Sequence, residues 1–224
     1  MNLILGGGGD AADSKAVHQL FLDKVEVEKK VLYIPVAWKD ENFDSCRAWF
    51  EATFSALGST KFEMWTDLSD KSMEDLCSFG GIYIGGGNTF KLLNTLRTTK
   101  FDHLLLQFTK SNRPVFGGSA GAIIFGKTID TAAFCSVPDE NEVGLRNTDG
   151  FNLINSSAIQ CHYLTSQDEV MAAFVKNSKI SVIALGERSG LFVTDQDMKI
   201  VGFEPGYLFT EQGKTEYMIG SKLK

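Results

Sequence analysis

The chain has 224 residues, 28 acidic against 22 basic side chains and a formal charge of −6, with 43% hydrophobic and 22% charged residues. Such values exclude a disordered chain, and an acidic balance without a Lys/Arg cluster argues against nucleic acid or an anionic membrane surface as partner. No run approaches the ~18 apolar residues of a membrane span, and one domain over residues 1–224 is the simplest organisation at this length.

Met1-Asn2-Leu3-Ile4-Leu5 runs straight into glycines without a basic segment, which does not read as an export signal. Cys46, Cys77, Cys135 and Cys161 are scattered, with no C-x-x-C pair. Reduced, structural thiols in a cytoplasmic protein are expected. Three separated histidines and these cysteines lack ligand spacing, so no metal is expected.

In chain order, residues 2–5 read as a buried strand opening into Gly6-Gly7-Gly8-Gly9. Asp13 is a candidate cap for a helix with Val17, Leu20, Phe21 and Val25 at helical spacing. Residues 31–34 are a second strand, stopped by Pro35, and 43–57 a helix ended by Gly58. A short strand at 62–65 precedes a fourth at 81–84, which opens into Gly85-Gly86-Gly87-Asn88-Thr89. Helical patterns at 90–96 and 101–110 lead to a fifth strand at 114–116. Strand, glycine turn and helix repeated in this way predict a parallel sheet with helices on both faces. Ligands bind such a sheet at the carboxyl ends of its strands, and the glycine turns after the first, fourth and fifth strands all fall there.

Residues 128–149 are polar and aperiodic and predict a long loop. After it come a strand at 158–160, a helix near 168–176, and short runs at 180–185, 190–193 and 199–201. These last runs read as strands joined by tight turns, with Gln196-Asp197 as a hairpin tip.

Val115-Phe116-Gly117-Gly118-Ser119-Ala120-Gly121-Ala122 carries G-x-S-x-G between an apolar strand and a helix-like run at 122–125. In that context the pattern is a nucleophile elbow, whose tight turn demands small flanking residues. Ser119 would stand at a helix amino end, where the Ala120 N–H can bind an oxyanion. A serine nucleophile needs a base. His18 and His103 lie in amphipathic helices and read as surface or partly packed residues. His162 follows the strand at 158–160 and falls on the same rim as Ser119. The carboxylate that orients the imidazole is best supplied by Glu187, at the end of the run 180–185, with Asp139 and Asp149 as rivals.

With Gly85-Gly86-Gly87-Asn88-Thr89-Phe90, the Gly117–Ala122 block, Cys161-His162 and Gly186-Glu187 in this order, the chain resembles the peptidase E family of serine peptidases. That family includes aspartyl dipeptidases and, more distantly, cyanophycinases. The resemblance spans residue 3 to about 193. It implies an α/β fold, a flavodoxin-like three-layer α/β/α sandwich with a mostly parallel sheet. This fold is related to class I glutamine amidotransferases, where the elbow residue is cysteine. It further implies Ser119 as nucleophile, His162 as general base and Glu187 as third member, with an aspartate such as Asp139 as the alternative. Gly87 would add a second oxyanion N–H beside Ala120, and Asn88 and Thr89 would reach the substrate. No cofactor is implied, the partner is a small peptide, and a homodimer is common for enzymes of this size. Aspartyl dipeptidases use a basic residue beyond the histidine, whereas residues 163–173 contain no Arg or Lys and Lys176 comes first. Arg188 is the substitute on offer, so strict preference for aspartate does not follow.

Two other classes compete with a hydrolase acting through an acyl-enzyme. Gly6-Gly7-Gly8-Gly9-Asp10-Ala11 fits the dinucleotide fingerprint loosely, which would make an NAD-binding oxidoreductase, although the next strand ends Ile34-Pro35 without the ribose-binding acid. A catalytically silent binding protein on the same fold is the other.

Overall fold

The computed structural model describes residues 1–39, 42–58, 61–135 and 137–223. Its first half alternates as the glycine punctuation predicts. The elements are β1 (Asn2–Gly6), α1 (Lys15–Leu22), β2 (Lys30–Ile34), α2 (Asp44–Ser55), β3 (Phe62–Met64), α3 (Met73–Leu76), β4 (Phe79–Ile84), α4 (Thr89–Thr98), α5 (Phe101–Thr109), β5 (Pro114–Gly118) and α6 (Ala120–Ile123). The second half holds β6 (Ala158–Gln160), α7 (Asp168–Ser178), β7 (Val182–Leu185), β8 (Ser189–Thr194), β9 (Met198–Gly202), β10 (Gly206–Thr210), β11 (Gly213–Tyr217) and β12 (Lys222–Leu223).

The main sheet has eight strands in the order β12-β9-β8-β1-β5-β4-β2-β3. The five from β1 to β3 are parallel, and β8, β9 and β12 extend the sheet antiparallel. This is a mixed α/β fold with a mostly parallel main sheet. Because successive side chains point to opposite faces, each central strand feeds two cores. Leu3, Leu5, Leu32, Ile34, Ile82, Ile84 and Val115 pack with α4, α5 and α6. Ile4, Val31, Tyr33, Tyr83 and Phe116 face the other way, against Val17 and Phe21 of α1 and Phe50 and Phe54 of α2. Near-continuous apolar strands follow from burial on both faces.

A second sheet, β11-β10-β7-β6, has no counterpart in the sequence reading. Ile159, Ile183 and Leu185 turn one of its faces into the first core. Val182, Ala184 and Phe209 on the other face are covered by Met171 and Val175 of α7. The runs 180–185 and 190–193, expected as neighbours, therefore part company: β7 belongs to the small sheet and β8 pairs with β1 in the large one. The β8–β9 hairpin does turn through Gln196-Asp197, with Val193 opposite Met198.

Two local expectations shift. Ser14, not Asp13, occupies the cap position of α1, and Asp13 instead donates its N–H to the Asp10 carboxylate in the preceding turn. Val25 lies beyond α1, which ends at Leu22. The segment 128–149 is a long excursion as expected, but an anchored one. A Thr128–Asp149 bridge closes its base, Arg97 donates to the carbonyls of Asn147 and Asp149, and a single 3-10 turn at Asp130–Phe134 buries Thr131 and Ala132. Its Ser136 lies outside the described residues. Among the described residues no helix is long and apolar enough to cross a membrane.

Candidate active site

Between β5 and α6 the chain reverses within one residue. Ser119 takes φ 51° and ψ −114°, a conformation that L-residues rarely adopt and that marks a strained elbow. It is held there by its own N–H donating to the Gly6 carbonyl at 3.1 Å. Its carbonyl accepts from the Ala122 and Ile123 N–H groups at 2.7 and 3.0 Å. Small residues are obligatory around it: a Cβ on Gly121 would lie 2.5 Å from the Ile84 carbonyl oxygen. Ala120 opens α6, so its N–H has no intrahelical acceptor.

His162 leaves β6 at φ 50°, with its N–H on the Gly7 carbonyl at 2.8 Å. Its Nε2 lies 2.8 Å from Ser119 Oγ, and its Nδ1 lies 2.9 Å from Glu187 Oε1. Glu187 sits in the three-residue link between β7 and β8, where the two sheets meet. The structure thus brings Ser119, His162 and Glu187 into one hydrogen-bonded chain, although 43 and 25 residues separate successive members. With Glu187 accepting from Nδ1–H, the Nε2 lone pair faces the serine hydroxyl.

The four-glycine turn after β1 has a different part from a dinucleotide cradle. A Cβ on Gly8, at φ +120°, would sit 2.2 Å from His162 Cε1. The glycine is there because the imidazole lies flat against it. Helix α1 begins only at Lys15, too far along for a pyrophosphate bound at the turn to meet the helix N-terminus. The face of the turn at Gly8 is occupied by the histidine ring.

The other expected residues lie elsewhere. Asn88, 4% exposed, caps α4 by accepting from the Lys91 N–H at 2.8 Å and donates its amide to the Glu140 carbonyl at 2.8 Å. Thr89 is fully buried, and its N–H and hydroxyl both donate to Asp139 Oδ2, at 2.8 and 2.6 Å. These side chains, expected to reach a substrate, instead clamp the excursion onto the start of α4. The same bonds pair Asp139 with Thr89 rather than with His162, and Asp149 closes the excursion's base. Arg188 is held by Glu204 at 3.2 Å and Asp13 at 3.7 Å. His103 is exposed on α5, whereas His18 is buried to 2% exposure with Nε2 3.0 Å from the Tyr83 hydroxyl. Burial pushes the His18 pKa down to about 4, so the ring is neutral near pH 7. Cys161, below the elbow, has its thiol 3.6 Å from the Ser119 carbonyl oxygen, and burial pushes its pKa well up, so it stays a thiol. Among the described residues no group of three or more His, Cys, Asp or Glu is arranged to hold a metal.

A cavity of about 490 Å³ opens beside Ser119 and His162, bounded by the Gly85–Gly87 turn and by His18, Tyr33, Trp38, Trp49 and Tyr83. The sequence reading passed over these rings. Their signal is position: Tyr33 and Tyr83 lie near the carboxyl ends of β2 and β4, and Trp38 follows β2 on the same rim.

The family model described as Peptidase family S51 matches residues 3–201. Peptidase E of Shewanella denitrificans is 27% identical over 194 residues, covering 81% of this chain and 78% of the relative. Peptidase E of Actinobacillus pleuropneumoniae serotype 5b is 28% identical over 202 residues, covering 82% and 80%. A crystal structure of a candidate peptidase E protein from Listeria monocytogenes EGD-e superposes with a TM-score of 0.68 at 25% identity, over 91% of this chain and 98% of that one. A peptidase from an acI-B1 actinobacterium shares the fold with a TM-score of 0.70 at 20% identity, over 100% and 96%.

Proposed function

The chain belongs to peptidase family S51 and is a serine-type peptidase, and on that premise we propose that Ser119, His162 and Glu187 are its catalytic triad, hydrolysing small peptides through an acyl-enzyme. The observation that carries this is the unbroken relay from Ser119 Oγ to Nε2 at 2.8 Å and from Nδ1 to Glu187 Oε1 at 2.9 Å. Glu187 holds the imidazole in the tautomer that can accept a proton and stabilises the imidazolium once formed. As Oγ attacks the amide carbonyl, Nε2 takes its proton. The oxyanion grows in front of the Ala120 N–H at the start of α6 and the Gly87 N–H of the neighbouring turn. His162 then protonates the leaving amine, and water repeats the sequence to release the acid and free Ser119.

The strand order supports a flavodoxin-like sandwich of the class I glutamine amidotransferase kind. Strands β3-β2-β4-β5 reproduce the first four positions of the 2-1-3-4-5 order, with β1 in the fifth. Residues 1–224 read as one domain, because both sheets supply the same core. The aspartyl-dipeptidase specialisation is the weaker part of the resemblance: Arg188, the one substitute for the missing basic residue, is engaged by Glu204 and Asp13.

A fluorophosphonate probe together with a dipeptide panel tests the mechanism. Ser119→Ala is expected to abolish labelling and lower turnover by roughly 10⁴-fold or more. Full activity in that variant on a confirmed substrate would remove the serine from the chemistry.

A further inference from the structure

We propose that the cavity beside Ser119 receives an uncharged aromatic or large aliphatic side chain of the residue that donates the scissile carbonyl, so that phenylalanine, tyrosine or leucine is preferred there over aspartate or lysine. This substrate class rests on the serine-peptidase reading above.

The cavity's volume of about 490 Å³ falls within the roughly 300–1,000 Å³ typical of small-ligand sites. Among the described residues, none that lines it is Asp, Glu, Lys or Arg. The far wall is aromatic and rigid: Tyr83 is stacked on Phe116 with centroids 4.4 Å apart, and Tyr33 is stacked on Phe50 at the same distance. Trp38 and Trp49 line the cavity and are 41% and 36% exposed, so the wall reaches the surface. His18 contributes a ring that is neutral at working pH, and Ser14, Ser45 and Cys46 add hydroxyls and a thiol but no charge.

A carboxylate entering this space would leave water and meet no cation among the described lining residues, which is unfavourable. Lys91 and Arg188, which do not line it, are engaged elsewhere. The Lys91 amine donates to the Trp38 carbonyl at 2.6 Å and the Lys39 carbonyl at 3.3 Å, and Arg188 is paired with Glu204 and Asp13. An apolar side chain would exchange water for rings already fixed in place, with little ordering cost.

Topology says which half of the substrate enters. Ser119 follows β5; Tyr83, Tyr33, Trp38 and Trp49 belong to β4, β2 with the loop after it, and α2, on the β4–β2 side of it, while His18, Ser14 and the glycine turn after β1 bound the cavity from the other side. His162 rests on the glycine turn after β1, on the other side. Since His162 hands its proton to the leaving amine, the leaving half lies toward β1. The acyl half then lies toward β4 and β2.

The test uses the whole chain and two independent readouts. For X-Ala dipeptides, kcat/KM with X as Phe, Tyr or Leu should exceed that with Asp or Lys by roughly 30-fold, the scale of burying one large apolar side chain. Ser45→Arg, which adds a cation at an exposed cavity position, should narrow the gap between Asp-Ala and Phe-Ala by about 10-fold. In Ser119→Ala, phenylalaninamide should bind at least about 10-fold tighter than aspartic acid α-amide or lysinamide, followed by calorimetry and the fluorescence of Trp38 and Trp49. Equal or tighter binding of the aspartic acid amide, or a wild-type preference for Asp-Ala, overturns the pocket assignment. If wild type is not labelled by the fluorophosphonate probe, the triad reading falls, while amide binding still decides the pocket.

Discussion

Replacing Gly8 by alanine isolates what the imidazole contributes. The new Cβ would stand 2.2 Å from His162 Cε1 and 2.6 Å from each ring nitrogen. Carbon atoms rest about 3.5–4.0 Å apart, so the ring must retreat by more than about 1 Å. That lengthens the 2.8 Å contact to Ser119 Oγ beyond a hydrogen bond. A misplacement of ~1 Å at a reacting group costs on the order of 10²-fold in rate. Alanine at φ +120° is also strained, which by itself removes about 1–3 kcal/mol of stability. Gly213 supplies the control, because it has φ +123° with nothing within 4 Å of its added Cβ, at the first position of β11. Gly8→Ala and Gly213→Ala should therefore lose Tm together, by roughly 2–4 °C per kcal/mol. Only Gly8→Ala should lose kcat and fluorophosphonate reactivity. Equal kcat in the two variants would refute the contact between the glycine turn and the working histidine.

The third member of the relay separates from its rival by kinetics: Glu187→Gln should lower kcat by at least about 10²-fold, whereas Asp139→Asn, which acts on Thr89, should leave kcat within about 3-fold and lower Tm. Asn88→Ala removes the α4 cap and the hold on the Glu140 carbonyl, and calorimetry should show a loss of about 1 kcal/mol or more. His18 contributes to acid stability. Its folded pKa of about 4 lies below the ordinary value of 6.5, so the unfolded chain binds a proton that the native chain refuses. Its contribution is complete above pH 6.5 and is lost as pH falls toward 4, on the order of 3 kcal/mol in all. Urea titrations of His18→Gln should show a flatter pH dependence across that window; an unchanged slope would place the titration elsewhere.

The parallel half of the fold is legible because its strands are buried on both faces and end in glycines that the rim requires. The elbow is legible for the same reason, since small residues crowd around Ser119. The small sheet is not: β11 exposes Gly213, Lys214, Thr215 and Glu216, so it carries no apolar run. Nothing in Gly186-Glu187-Arg188 announces that the chain crosses from one sheet to the other there. Asn88 and Thr89 mislead because an amide and a hydroxyl at a glycine turn suit a ligand and a helix cap equally well. Only the return of the excursion, which brings Asp139 and the Glu140 carbonyl to them, decides the matter. The glycines after β1 mislead in the opposite direction, because their spacing imitates phosphate recognition while the clearance serves a residue 154 positions later.

Strand β1 is central in the main sheet, with Asn2–Gly6 between Pro114–Gly118 and Ser189–Thr194. On a ribosome adding about 5–20 residues each second, Leu3, Ile4 and Leu5 are made roughly 10–40 s before their second neighbour, Ser189–Thr194. Until then a strongly apolar, unpaired segment is free to pair wrongly with other nascent chains. An ordered synthesis therefore favours shielding β1 until β8 has been made, and the hydrogen-bonded relay closes only once Glu187, just before β8, has joined the chain.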